Sequence, residues 1–165
     1  MAKNPKRGRR TEALSVRLDP KDKFILDYAV RFTGMGITTV IERAIQSYVN
    51  EITDLKKATS WESFWDVSEG VRTLKMLNDP DVPTTFEEDE LVQFVEAHLD
   101  FFYLQRDAEI FSTEQIEVLW PKIHEYVDMW RKAKNPYSDS VGKVMVKDLE
   151  AAGAPSPTWP KPLPF

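Results

Sequence analysis

The chain has 165 residues, 42 % of them apolar, with 22 basic against 27 acidic side chains and a formal charge of −5. That length suits one ordinary domain, or a small module joined to a medium one. No run approaches the roughly 18 to 20 unbroken apolar residues of a membrane helix, so no membrane partner is expected. There is no cysteine and histidine occurs only as His98 and His124. This excludes disulfides, thiolate metal sites and cysteine nucleophiles, and it disfavours a histidine-based relay or metal centre. No paired-carboxylate or metal-ligand spacing stands out, so neither an enzyme nor a cofactor is expected. The leader MAKNPKRGRR lacks the apolar core of a secretion signal, and a cytoplasmic, nucleoid-associated protein is the expectation.

Charge is unevenly spread. Residues 1–57 carry 12 basic and 7 acidic groups, a surplus of +5, whereas residues 58–165 carry 10 and 20, a deficit of −10, together with all five tryptophans. Such asymmetry argues for two parts with different partners, the first polyanionic. The expected organisation is a basic arm (1–10), a small module (11–55), an acidic helical domain (56–152) and a proline-rich tail (153–165).

After the arm, Glu12 to Leu18 alternates strictly. Leu14, Val16 and Leu18 lie on one side, Ala13, Ser15 and Arg17 on the other, the pattern of a half-buried strand. Asp19-Pro20 then supplies an N-cap acid and a proline at the first helical position. The helix it opens carries Phe24, Ile25, Leu26, Ala29 and Val30 and is expected to end near Gly34. Gly34-Met35-Gly36 makes a turn, and Thr38 or Thr39 is a candidate cap for a second helix bearing Val40, Ile41, Ala44, Ile45, Tyr48, Val49 and Ile52. A module this small buries too little surface to close a core alone. A lone strand also leaves its N–H and C=O groups unpaired. Both deficits vanish in a homodimer that pairs two strands antiparallel and interlocks the helices.

The stretch ALSVRLDPKDKFILDYAVRFTGMGITTVIERAIQSYV resembles the ribbon-helix-helix (MetJ/Arc-type) DNA-binding family over roughly residues 11–52. The Val16-Arg17-Leu18 strand ending, the glycine turn and the Ile41…Ala44-Ile45…Tyr48 spacing carry the resemblance. Gly36-Ile37-Thr38-Thr39 departs from the polar start that many members give their second helix. The resemblance implies a mainly α chain whose N-terminal part forms an intertwined dimer, with Leu14, Val16, Leu18, Leu26, Ile41, Ala44, Ile45 and Tyr48 in its core. It further implies a two-stranded ribbon in the major groove, with Ala13, Ser15 and Arg17 of both subunits facing the bases. Arg17 has the most to offer there, since a guanidinium grips guanine O6 and N7 together. Gly36, Ile37, Thr38 and Thr39 would clamp a phosphate at the helix start. Lys3, Lys6, Arg7, Arg9 and Arg10 would follow the backbone or enter the minor groove.

Residues 59–152 read as about four helices in a bundle, with nothing alternating like a strand. Trp61, Phe64, Trp65, Val71 and Leu74 make one stripe. Leu91, Phe94, Val95, His98, Leu99, Phe101 and Phe102 make a second, with His98 a satisfied core histidine. Ser112 and Gln115 have capping-box spacing for a third helix bearing Ile116, Leu119, Trp120, Ile123, Tyr126, Val127 and Trp130, which Pro121 should kink or restart. Val141, Val144, Met145 and Leu149 form a fourth, stopping at Gly153. The acids Glu87-Glu88-Asp89-Glu90 fit the first turn of a helix. The tail holds Trp159, Leu163 and Phe165 among prolines, and is either unstructured or docked by its aromatic anchors.

The functional expectation is a sequence-specific duplex DNA-binding regulator, most simply a repressor, acting as a homodimer or a dimer of dimers. The second part would contact a protein, a small molecule or another dimer. An antitoxin with an autoregulatory DNA module is the strongest alternative, and a plasmid partition or relaxosome accessory protein is a third.

Overall fold

The computed structural model describes residues 13–107, 109–133 and 139–160. It is mainly helical, and the chain separates into two compact units, Met1–Ile52 and Thr53–Phe165.

In the first unit, residues 13–19 form neither helix nor strand. A strand exists only through a neighbour's N–H and C=O groups, and among the described residues none pairs with this stretch. Helix α1 (Pro20–Thr33) starts as its sequence dictates, with the Asp19 carboxylate accepting from the Asp22 amide at 2.8 Å and Pro20 in the first turn. Gly34 ends it at φ +69°, a left-handed conformation that glycine adopts without steric cost, and its amide donates to the Val30 carbonyl. Helix α2 (Ile37–Lys56) follows after a 104° bend. Thr38 and Thr39 lie inside its first turn rather than capping it, because the helix begins one residue earlier, directly after Gly36. No described helix is by itself long and apolar enough to cross a membrane.

The second unit contains α3 (Trp61–Phe64), α4 (Glu69–Leu77), α5 (Phe86–Ala97), α6 (Thr113–Leu119), α7 (Ile123–Lys132) and α8 (Ser140–Ala152). The expected single stripe from Trp61 to Leu74 is two helices. The Asp66 carboxylate captures the Ser68 amide at 3.0 Å, a local bond that competes with helix continuation, and it leaves Trp65 exposed. A second correction is a short antiparallel hairpin, β1 (Tyr103–Gln105) paired with β2 (Ile110–Phe111). Its strands are too short for alternation to register. Pro121 acts as expected: the helix tightens to a 3-10 turn over Trp120–Lys122 and restarts as α7.

The expected Ser112 capping box does not form. Ser112 makes no side-chain cap, and Gln115 Nε2 donates instead to the Pro155 carbonyl at 3.0 Å. The reciprocal box belongs to α5, where Thr85 and Glu88 satisfy each other's backbone amides. Its neighbours are similarly engaged, Asp89 with Thr84 and Glu90 with Arg131. The core joins Val71, Leu74, Leu91, Phe94, Val95, Phe101, Phe102, Ile116, Leu119, Ile123, Tyr126, Val127, Val141, Met145 and Leu149, drawn from α4 to α8. No described residue of 13–52 belongs to it.

Candidate nucleic-acid interface

The residues expected to face the bases, Ala13, Ser15 and Arg17, are all exposed and occupy alternate positions ahead of the Asp19 cap. The arm residues Lys3, Lys6, Arg7, Arg9 and Arg10 lie outside the described residues, as do Glu12, Leu163 and Phe165. Gly36 stands immediately before α2, and its carbonyl accepts the Val40 amide at 3.1 Å. Ile37, Thr38 and Thr39 fill the first turn, whose amides have no intrahelical acceptor by the geometry of a helix. That turn carries no acidic side chain to compete for an anion, whereas α1 carries Asp22 in its own first turn.

No residue of α1 or α2 is buried. Leu14, Val16, Ile45 and Tyr48 expose 82, 62, 54 and 64 % of their surface, and Leu18 and Ile41 are exposed as well. Leu26 is half-buried and Ala44 exposed, so the expected dimer core is uncovered in the single chain. Phe24, Ile25, Tyr28 and Phe32, which sequence reasoning did not all assign, extend this apolar surface along α1, with the Tyr28 and Phe32 rings stacked at 5.8 Å. Ile37, Ile41, Ile45, Tyr48 and Leu55, spaced by three, four or seven residues along α2, are all exposed and share one helical face. The signal for this uncovered surface was present in the helical periodicity. What the sequence left open is how much of it stays exposed among the described residues.

No family model, curated protein or solved structure matches this chain.

In the second unit the polar groups are mostly engaged with one another. Among the described residues, no group of three or more histidine and carboxylate side chains is placed to hold a metal ion. A groove of about 320 Å³ is lined by Thr59, Phe64, Lys75, Asn78, Asp79 and Glu109 among others. Its polar groups already serve one another: Asn78 bonds Tyr103 and Glu109, and Lys75 pairs with Asp66 at 3.1 Å. Asp79 accepts from Thr59, which holds its carboxyl below the ordinary range. Elsewhere the Tyr126 phenol donates to Asp148, which also meets Lys122. Burial, reinforced by the Asp148 carboxylate, pushes the Tyr126 phenol well up, while the phenol's hydrogen bond and Lys122 hold Asp148 low. These are structural pairings, with no free nucleophile or base among them.

His98 takes the core role expected of it. It is 1 % exposed, its Nδ1–H donates to the Phe94 carbonyl at 2.8 Å, and its ring lies 4.5 Å from that of Phe94. Burial pushes its pKa below the ordinary 6.5, opposed by the bond to Phe94. A histidine depressed in the folded state binds protons more readily when unfolded. Its contribution to stability is therefore full above the unfolded value and is lost as pH falls through the folded one. Urea unfolding of the second unit should show stability falling below about pH 6.5, before carboxylates titrate. His98→Gln should flatten that part of the profile, and an unchanged slope would reject the assignment.

Proposed function

We propose that this chain is a homodimeric ribbon-helix-helix protein that binds duplex DNA sequence-specifically, acting as a transcriptional regulator and most simply as a repressor. The observation that carries the reading is the uncovered apolar surface of residues 14–55, where α1 and α2 bury no residue. Two copies would cover it by pairing residues 13–18 as a two-stranded ribbon and packing the α2 faces together. The surplus of +5 over residues 1–57 suits a polyanion. The division of labour follows: Arg17, Ser15 and Ala13 read bases, the arm and the Gly36–Thr39 turn position the ribbon on phosphates. The second unit's own closed core weighs against an unfolded, toxin-wrapping antitoxin tail.

Selection of bound duplexes from a random pool tests this directly, with two-fold related half-sites as the expected outcome. A pool that yields no enriched sequence would overturn it. Once a preferred duplex is in hand, Arg17→Ala should narrow its advantage over random DNA by about 1–3 kcal/mol for each bidentate guanine grip removed. Competition titration measures that gap, and an unchanged gap would remove Arg17 from the bases.

A further inference from the structure

The C-terminal segment 154–160 leaves the closing turn of α8, which the Ala154 amide completes, and is held against the rest of the second unit at two further points. The Ala154 amide donates to the Leu149 carbonyl at 2.9 Å, Gln115 Nε2 donates to the Pro155 carbonyl at 3.0 Å, and the Trp159 indole N–H donates to the Asp139 carbonyl at 3.1 Å. The indole ring stacks on His98, with centroids 5.3 Å apart and planes at 28°, and meets Phe101 edge-on at 5.3 Å. Helix α8 makes room for it with Gly142: a Cβ there would stand 2.1 Å from the indole nitrogen. Gln115 and His98, which meet the segment, are themselves 6 % and 1 % exposed. The slot is therefore built into the interior of the unit. Among the described residues, Gln115 Oε1 is buried without a hydrogen-bond partner while the segment is docked.

We infer that this slot is a docking site for an extended, proline-flanked tryptophan segment, filled here by the chain's own residues 154–160 and open to the same segment of a second copy of this chain. The contacts are an aromatic anchor in a preformed pocket and backbone carbonyls taken up by fixed donors, the features by which extended peptides are recognised. The Pro155 and Trp159 contacts do not depend on the covalent link at Gly153-Ala154; the Ala154 bond, which closes the turn at the end of α8, does. Pro155, Pro157 and Pro160 restrict the free segment, so little conformational entropy is lost on docking. Exchange between copies replaces the Pro155 and Trp159 contacts by identical ones, which makes it a low-cost route to association.

Trp159→Ala in the full chain vacates the slot. A fluorescent peptide APSPTWP should bind that variant saturably in an anisotropy titration. The unaltered chain should bind it roughly tenfold or more weakly, because its tethered segment competes at an effective concentration on the order of mM. The full-length Gly142→Ala chain, its own slot blocked and its tail released, should displace the peptide from Trp159→Ala. Equal peptide binding to both chains overturns the inference, as does no binding to a folded Trp159→Ala chain or failure of Gly142→Ala to compete. If Trp159→Ala does not fold, the peptide is added during refolding: recovery of the far-UV spectrum supports the site, and no recovery overturns it.

Discussion

If the proposed dimer forms, Ile45→Asp is expected to turn it into a monomer and abolish duplex binding while the second unit keeps its fold. Ile45 lies midway along α2, exposes 54 % of its surface in the single chain and shares a face with Ile41 and Tyr48. In a two-fold dimer each substitution acts twice, because the same patch is used by both subunits. Two carboxylates would be brought into an apolar interface, with an effective penalty of several kcal/mol per ion. Each ~1.4 kcal/mol of that penalty weakens association tenfold. The alternative, an α2 face that stays in water, predicts a change within about ±0.5 kcal/mol, as for ordinary surface positions. Sedimentation velocity at micromolar concentration separates the two outcomes. An Ile45→Asp chain that still sediments as a dimer would refute the proposed interface and the ribbon that depends on it.

The legible parts of the sequence were those set by chemistry within a few residues. Asp19-Pro20 announces the start of α1, Gly34 its end, Pro121 the break between α6 and α7, and Gly153 the stop of α8. Each acts through its own backbone preference or cap, so no distant partner need be known. The misreadings have the opposite character. Trp61, Phe64 and Trp65 keep helical spacing with Val71, but the run breaks at an extended Trp65, where Asp66 accepts the Ser68 amide and Arg72 donates to the Asp66 and Val67 carbonyls. Gln115 has the right spacing to serve a cap, but a tail residue forty positions away claims its amide. The Gly142 slot was illegible for the same reason, since a missing side chain signals close approach without naming what approaches. In the first unit, the apolar positions of α1 and α2 were readable from periodicity. Their covering was not: among the described residues, α1 and α2 bury none.

Phe94→Ala should have the largest effect on the second unit. Phe94 is 0 % exposed and its ring meets those of His98, Phe102 and Trp130, the last two edge-on at 6.1 and 6.0 Å. Truncation removes the transfer energy of a benzyl group and leaves a void that three large rings, each fixed by other neighbours, cannot all move to fill. The expected loss is about 3–5 kcal/mol, set against a total of roughly 5–15 kcal/mol for a domain. For a unit of this size that corresponds to a fall in Tm on the order of 10–20 °C. The backbone carbonyl of Phe94 still accepts from His98, so the loss reports packing and not the hydrogen bond. Phe86→Ala makes the control. Phe86 lies on the same helix but is 76 % exposed, and its truncation should stay within about ±0.5 kcal/mol. Because no described residue of 13–52 belongs to this core, Phe94→Ala should leave the proposed dimer of the first unit intact at temperatures where the second has melted. Differential scanning calorimetry with sedimentation at the same temperatures checks both halves, and simultaneous loss of the dimer would show that the two units do not fold independently.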